Sequence, residues 1–198
     1  MAHRRSRRDL ICEAALDLAA RGGNHALTHQ AIDTQLGLAR GSTSYYYRTR
    51  HALVSAAIGH LTERSRSYFE ETVPPVPMTI QEATNHITSQ LEVLLAERRR
   101  DVLARYALLA DAMADTELQH GLAKCLFSIP AATELMNSLG APDPADAARN
   151  LVGLLEGLIF THAFGAEAAR SGEGCTSRAE ALRRPVRTWI DALVAANS

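Results

Sequence analysis

The stretch QLGLARGSTSYYYRTR, residues 35–50, places three consecutive tyrosines between arginines, although aromatic residues make up only 5% of the chain. A buried strand could use such a run of rings, but Arg40, Gly41 and Arg48 are poor neighbours for a core. Tyrosine hydroxyls and guanidinium groups are suited to hydrogen bonds with phosphate oxygens. The stretch therefore indicates a surface that contacts a polyanion.

Charge is divided unevenly along the sequence. Residues 1–50 contain eight arginines and four acidic residues, which gives +4, while the other 148 residues contain 13 cations and 18 anions, which gives −5. A basic segment attached to an acidic body predicts a polyanionic partner for the basic segment alone. A charged terminus that is merely solvated has the same signature, so charge leaves both interpretations open.

Composition predicts a folded protein without a membrane segment. The 198 residues suffice for one large or two small domains, and 46% of them are apolar. No window reaches the roughly 18 uncharged apolar residues of a membrane span, and the start MAHRRSRRDL lacks the apolar run of a signal peptide. We therefore expect a cytoplasmic protein. Cys12, Cys125 and Cys175 are far apart and odd in number, so we expect reduced thiols, with no cofactor and no metal site.

Helix signals recur in the first third of the chain. Apolar residues at helical spacing are followed by a pair of glycines, and a threonine stands where it can cap the next helix. We predict a first helix that ends at Gly22 and Gly23, a second from Thr28 to about 36, a third at about 40–46 and a long fourth at about 50–72.

Capping signals continue through the rest of the chain. No alternating apolar pattern with hairpin turns accompanies them, so the fold is predicted to be all-α. The prolines at 74, 75 and 77 interrupt the helical pattern and place a domain boundary near residues 73–78. The predicted helix starts are a capping box of Thr79 with Glu82, similar pairs of Thr116 with Gln119 and Ser177 with Glu180, and Asp143 followed by Pro144.

The first helices have the order of a helix-turn-helix: a supporting helix, a short second helix, a tight turn at Gly37 and a third helix that would read DNA. Thr43 and Tyr47 share a face of the third helix and are expected to pack inward. Arg40 is then free to face outward, where it can make a bidentate contact to guanine. Gly41 would let the backbone approach a groove closely.

The same residues resemble the DNA-binding head of the tetracycline repressor (TetR) family. Residues 32–38 carry an Ile-x-x-x-Leu-Gly-Leu turn, residues 40–47 read Arg-Gly-Ser-x-x-Tyr-Tyr-Tyr, and Ala52-Leu53 follows in step. The similarity covers about residues 8–58. The sequence departs from the family where a serine cap, a leucine and a tyrosine are usual, at Ala39, Thr43 and Ser44.

The resemblance implies a homodimeric transcriptional regulator that binds double-stranded operator DNA and responds to a small-molecule effector. It implies an N-terminal helix-turn-helix DNA-binding domain at 1–50, a connecting helix at about 50–72, and a C-terminal helical effector-binding and dimerisation domain at 73–198. A repressor of a palindromic site is expected. The residues at positions that contact DNA in the family are Thr28, Arg40, Gly41, Ser42, Ser44, Tyr45, Tyr46 and Arg50.

A mechanism for release from DNA follows from the resemblance. Two recognition helices must lie about 34 Å apart to enter successive major grooves on one face of B-DNA. A small pivot transmitted through the helix at about 50–72 would spoil that spacing. We therefore expect effector binding to lower operator affinity.

The segment 143–172 is apolar around most of its helical circumference, so a single core face cannot bury it. Gly153 and Gly157 would let another helix come close, and the last predicted helix is its natural companion. In the TetR family two such helices from each subunit form a four-helix dimer interface, while the alternative is a central helix of a monomeric bundle. The predicted interface residues are Leu151, Leu155, Leu158, Ile159, Trp189 and Leu193.

Helices predicted at about 79–97, 99–114 and 116–139 supply apolar residues that could line an effector pocket or a plain core. Pro130 should kink or split the third of them, and such a break can open a cavity. A mostly apolar small molecule with one or two polar anchors is the ligand that such a lining suits. The predicted effector-binding residues are Tyr106, Met113, His120, Phe127, Thr161 and His162.

Two other classes of function compete with this one. An enzyme would need a nucleophile with a base, or a metal cluster, and the eight histidines show no metal-type spacing. A helical protein-interaction module that does not bind DNA remains the alternative. The salt dependence of binding separates these classes, because a DNA-binding protein loses affinity steeply as salt rises.

Overall fold

The computed structural model describes residues 6–72, 77–169 and 177–195, and this part of the chain is all-α, as predicted, with no strand. None of its helices is long and apolar enough to cross a membrane. The predictions made for Arg4, Arg5, Pro74, Pro75 and Cys175 lie outside the described residues. The helices are α1 Arg7–Ala26, α2 His29–Gln35, α3 Ser42–Tyr46, α4 Arg50–Thr72, α5 Ile80–Leu95, α6 Arg99–Ala112, α7 Thr116–Ala123, α8 Ile129–Ser138, α9 Pro144–Ala163 and α10 Arg178–Ala195.

The chain forms two compact units. The first contains residues 1–70 together with 100–126, so α6 and α7 pack with the N-terminal helices. The second contains residues 71–99 and 127–198. The functional boundaries at 50 and 73 stay a prediction, since compactness and function need not divide a chain at the same place.

The first unit is built on one continuous apolar core. Its fully buried side chains come mostly from α1, α2, α4, α6 and α7, and Leu27 and Cys125 add to them from the connecting segments. Helical geometry breaks in α1 at Gly23, where φ is 73°, close to the predicted end of the helix. The largest of the buried side chains are Ile11, Leu16, Leu27, Ile32, Leu53, Leu61, Leu108 and Leu122.

A cluster of charged side chains joins three helices of the first unit. Arg100 of α6 donates hydrogen bonds to Glu13 and to Asp17 of α1, the latter at 2.9 Å, and also to its neighbour Asp101. His60 of α4 lies 2.7 Å from the Glu13 carboxylate. The hydrogen bond from His60, followed by those from Arg100, holds the pKa of Glu13 far below its ordinary value in spite of burial. The Arg100 guanidinium thus binds carboxylates of α1 and α6, and His60 joins α4 to the same cluster.

Replacing Arg100 by methionine is expected to lower the free energy of unfolding by about 2 kcal/mol at neutral pH, because hydrogen bonds to a charged group are worth about 1.5–3 kcal/mol and this site is partly solvated. The low pKa of Glu13 means that the cluster stabilises the fold above the ordinary carboxylate pKa and loses that effect as pH falls. Urea unfolding should therefore show a smaller difference in unfolding free energy between wild type and Arg100→Met at pH 3 than at pH 7. Arg183→Met, which removes an exposed pair with Glu180, is the control and should change little.

The second unit packs α5, α8, α9 and α10 around a separate apolar core. Several helix starts are as predicted. The Thr79 and Glu82 capping box is present, Asp143 caps α9 with Pro144 in the first turn, and the Ser177 hydroxyl accepts the N–H of Glu180 at 3.3 Å. The largest fully buried side chains are Leu91, Met136, Leu151 and Ile159.

The helix predicted at about 116–139, which Pro130 was expected to kink or split, is divided into α7 and α8. Ser128 caps the second of them, and Pro130 lies in its first turn, where the missing N–H costs no hydrogen bond. The predicted cap at Thr116 is wrong by one residue. Asp115 is the cap, and its carboxylate accepts the N–H groups of Glu117 and Leu118 at 3.0 Å.

Candidate nucleic-acid interface

The helix-turn-helix is formed by α2, a turn and α3. Thr28 caps α2, since its hydroxyl oxygen accepts the N–H of Ala31 at 3.1 Å. Both glycines of the turn lie in the left-handed region, with φ of 62° at Gly37 and 90° at Gly41. A side chain at either position would be strained, so these glycines fix the path from α2 into α3.

A buried carboxylate holds α3 in place. Asp33 of α2 is only 4% exposed. Its Oδ2 accepts the N–H of Gly41 at 2.7 Å, and its Oδ1 accepts the N–H and the hydroxyl of Thr43 at 2.8 and 2.7 Å. These are donors of the first turn of α3, which its glycine cap leaves without a side-chain acceptor. Asp33 therefore acts as the missing cap, from another helix.

The ionisation of Asp33 follows from the same contacts. Burial raises the pKa of a carboxyl group, but the hydrogen bonds from Thr43 and Gly41 favour the carboxylate more strongly, so the pKa of Asp33 lies below its ordinary value. A negative charge at the start of a helix is also favourable to the helix dipole. The carboxylate is therefore present throughout the neutral range.

The inward face of α3 is as predicted. Thr43 is fully buried and Tyr47 is 8% exposed. The Tyr47 hydroxyl lies 3.6 Å from Cys12 Sγ, and burial together with this contact raises the pKa of Tyr47 to about 12. His29 donates from Nε2 to the carbonyl oxygen of Tyr47 at 2.7 Å, since a carbonyl can only accept. The third tyrosine of the run is thus a packing residue that ties α3 to α1 and α2.

The opposite side of α3 and its flanks is exposed and basic. Tyr45 is 83% exposed, and its ring meets that of Tyr46 edge to face. Arg40, Ser44 and Arg48 are exposed beside it. This side therefore presents guanidinium and hydroxyl donors, the groups that contact phosphates and base edges.

Three of the predicted DNA contacts have other partners in the structure. The Ser42 hydroxyl donates to the carbonyl oxygen of Ala39 at 2.6 Å, and Tyr46 is half-buried. Arg50 donates to both carboxylate oxygens of Asp111, at 2.7 and 2.9 Å, and to the carbonyl oxygens of Asn24 and Leu27. The guanidinium of Arg50 is therefore engaged in joining the start of α4 to the rest of the first unit.

Two residues that support this surface were not found by sequence reasoning. Asp33 contacts residues eight and ten positions further along the chain, a spacing that matches no local capping pattern. Arg8 of α1 has its guanidinium 5.4 Å from the ring centroid of Tyr47 and 5.9 Å from that of Tyr46. The sequence alone did not predict that contact, because Arg8 lies in a run of arginines.

The predicted effector-binding residues divide between the units. Tyr106, Met113 and His120 lie in the first unit, where Met113 is 79% exposed. The other three predicted effector-binding residues, Phe127, Thr161 and His162, are half-buried in the second unit. Sequence reasoning missed His86 of α5, whose Nε2 is buried and has no hydrogen-bond partner among the described residues. Burial lowers the pKa of His86, so its ring favours the neutral form.

The predicted dimer residues do not share one face. Leu151, Leu155 and Ile159 are buried in the core of the second unit, so their side chains are not available to a partner, and that part of the prediction is revised. Leu158 and Leu193 are half-buried, and Trp189 is 42% exposed. The exposed residues in the C-terminal half of α9 are Gly153, Gly157 and Phe160, and Phe164, the C-cap residue of α9, follows them at the same spacing of three to four residues.

Comparison with known proteins gives one family and many similar folds. The model of the Tetracyclin repressor-like, C-terminal domain matches residues 79–195. A transcriptional regulator from Rhodococcus sp. Rha1 is 19% identical with a TM-score of 0.78, over 96% of this chain and 97% of that one. Multidrug binding protein EbrR complexed with ethidium is 21% identical (TM-score 0.67; 94% and 99%), and Salmonella enterica GusR is 20% identical (0.67; 93% and 95%). No curated protein matches the sequence.

Proposed function

The chain belongs to the tetracycline repressor-like family, and from that premise we propose that it is a homodimeric repressor of a palindromic operator. In this proposal a small, mostly apolar effector releases it from DNA. Tyr45, Ser44 and Arg48 contact phosphates, Arg40 reads a base edge, and Thr28 and Gly41 lie against the backbone of the same groove. Ser42 and Tyr46 flank this surface, and Arg50 supports it by joining the start of α4 to the rest of the first unit.

The observation that carries the proposal is the attachment of α3 to Asp33. Three hydrogen bonds from one buried carboxylate fix the first turn of a five-residue helix that is too short to be stable alone. A preformed orientation reduces the entropy lost when a surface binds its partner. Rigid support beneath an exposed basic face is what a DNA-reading helix requires.

The proposed dimer uses the stripe formed by Gly153, Gly157 and Phe160 of α9 and its C-cap residue Phe164, together with Trp189 of α10. Phe160 is 51% exposed and Phe164 is 45% exposed, and their ring centroids are 5.9 Å apart. Aromatic side chains beside glycines allow close helix approach and large burial of apolar area. A two-fold axis would place the same stripe of a second copy against it.

The proposed effector site lies in the domain matched at residues 79–195. The unpartnered Nε2 of His86 supports a ligand with one polar anchor, since a buried polar atom without a partner costs about 1–3 kcal/mol. The similar fold of EbrR, which binds ethidium, supports an effector that is flat and largely apolar. Such a ligand weakens operator binding only by its differential affinity for the two states of the protein.

Changing Arg40 to alanine is expected to relax sequence preference at one base pair, at a cost of about 1–3 kcal/mol in specific binding. Tyr45→Phe should instead weaken specific and non-specific duplexes alike, because it removes a phosphate contact. Selection from random duplexes identifies the operator, and fluorescence anisotropy at several salt concentrations measures affinity. If the affinity of the wild-type chain for duplex DNA does not fall as salt rises, or if Arg40→Ala selects the same sequence with the same affinity, the proposed interface is wrong.

A further inference from the structure

The first turn of α1 lies beside α3, although α1 is not part of the helix-turn-helix. Cys12 of α1 is buried, and its Sγ lies 3.6 Å from the Tyr47 hydroxyl. Arg8 comes one helical turn before Cys12, so both side chains lie on the face of α1 that packs against α3. Unlike Cys12, Arg8 is exposed. Its side chain therefore emerges where the contact between the two helices meets solvent.

Two tyrosine rings hold the guanidinium of Arg8. It lies 5.4 Å from the ring centroid of Tyr47 and 5.9 Å from that of Tyr46, within the distance of a cation–π contact. The Tyr46 ring meets the ring of Tyr45 edge to face, and Tyr45 projects from the exposed basic side of α3. The side chains of Arg8, Tyr46 and Tyr45 thus form a continuous row from α1 onto that side of α3.

The positive charge of Arg8 is not neutralised by an ion pair. Arg8 has no salt bridge among the described residues. Of its acidic neighbours on α1, Asp9 accepts the N–H of Ser6 at 2.9 Å. Glu13 accepts a hydrogen bond from Arg100. A cation–π contact uses the flat side of a guanidinium, whereas its N–H donors point outward in the plane. Arg8 therefore keeps its charge and N–H donors for an anion.

We infer that Arg8 contacts a phosphate of the DNA backbone, so that the DNA-binding surface extends from the helix-turn-helix onto α1. This inference rests on the proposed DNA-binding function and adds to it a residue of the supporting helix. A guanidinium donates charge-assisted hydrogen bonds to a phosphate, often two in parallel. The rings of Tyr46 and Tyr47 hold the side chain in position before DNA binds, so less entropy is lost on binding. Such a contact fixes orientation on the duplex without reading sequence.

The test is the salt dependence of duplex binding, measured by fluorescence anisotropy with wild type, Arg8→Met and Arg8→Lys. Each phosphate contact contributes about 0.9 to the slope of log affinity against log salt concentration. Arg8→Met should therefore reduce that slope by about 0.9 for each subunit bound. It should also weaken the selected operator and a random-sequence duplex by a similar factor, about tenfold. Arg8→Lys keeps the charge and should keep the wild-type slope.

Arg21→Met is the matched control, because it removes the same charge from α1 about 20 Å further along the helix axis. It should keep the wild-type slope, and thermal unfolding should show that all three variants remain folded, since both arginines are exposed. The inference is overturned if Arg8→Met keeps the wild-type slope, even with weaker binding, because Arg8 then only supports α3. It is also overturned if Arg21→Met reduces the slope equally.

The same titrations distinguish this inference from the function on which it rests. A wild-type chain whose affinity for duplex DNA does not change with salt contradicts the proposed function itself. A wild-type chain with steep salt dependence and an unchanged Arg8→Met contradicts only the contact assigned to Arg8.

Discussion

Replacing Asp33 by alanine is expected to lower the free energy of unfolding by about 3–5 kcal/mol, because three donors lose their acceptor and each buried unsatisfied group costs about 1–3 kcal/mol. The free energy of unfolding of a small domain is only about 5–15 kcal/mol, so this loss would leave the helix-turn-helix close to unfolding. Operator binding should fall to the level of non-specific binding even where the chain stays folded. Urea unfolding and anisotropy with an operator duplex measure the two effects.

Graded variants separate the carboxylate from its individual contacts. Asp33→Asn keeps one acceptor oxygen and should cost less than alanine, while Thr43→Val removes one hydroxyl and should cost about 1 kcal/mol. Thr34→Ala changes an exposed neighbour on the same helix and serves as the control. A loss of stability in Asp33→Ala no larger than that in Thr34→Ala would contradict the role assigned to the carboxylate.

The same carboxylate predicts a pH dependence with a definite sign. The pKa of Asp33 is lower in the folded chain than its ordinary value of about 3.9. Its contribution is therefore fully present above that ordinary value and is lost as pH falls through the folded pKa. The difference in unfolding free energy between wild type and Asp33→Asn should shrink between pH 7 and pH 3.

Much of the fold could be predicted because its signals are local. The caps at Thr28, Thr79 and Asp143 each accept an N–H three residues away, so a short stretch of sequence contains both partners. The inward position of Thr43 and Tyr47 follows from helical period in the same way. The family resemblance and the local sequence pattern therefore both predicted the N-terminal helix-turn-helix.

The rest depends on contacts between distant residues. Arg50 and Asp111 are 61 residues apart, and nothing near Arg50 distinguishes a side chain that holds α6 from one that holds a phosphate. Apolar residues surround most of α9, so no clear polar side indicates which leucines face the subunit core. Burial decides it: Leu155 and Ile159 face inward, and Gly157 and Phe160 face outward.

Changing Phe160 to glutamate is expected to dissociate the proposed dimer without unfolding the subunit. An unpaired charge in a desolvated interface costs several kcal/mol, and a two-fold interface contains the substituted residue from both subunits. The dimer dissociation constant should therefore rise by at least about 100-fold. Sedimentation velocity at micromolar concentration should then show a monomer. Because two linked heads bind a palindrome far more tightly than one, operator affinity should fall with the dimer.

The adjacent residue provides the matched test of this interface. Ile159 is fully buried within the subunit, so Ile159→Glu should unfold it, whereas Phe160→Glu should keep the helical circular dichroism and melting temperature of a folded chain. Trp189→Glu should behave like Phe160→Glu, because Trp189 is also exposed in the isolated chain, and Asn137→Glu on α8 should leave the dimer intact. A wild-type chain that sediments as a monomer at micromolar concentration and still protects a single half-site would refute the interface. If Ile159→Glu and Phe160→Glu instead unfold alike, Phe160 belongs to the core of the subunit and the partner must bind another face.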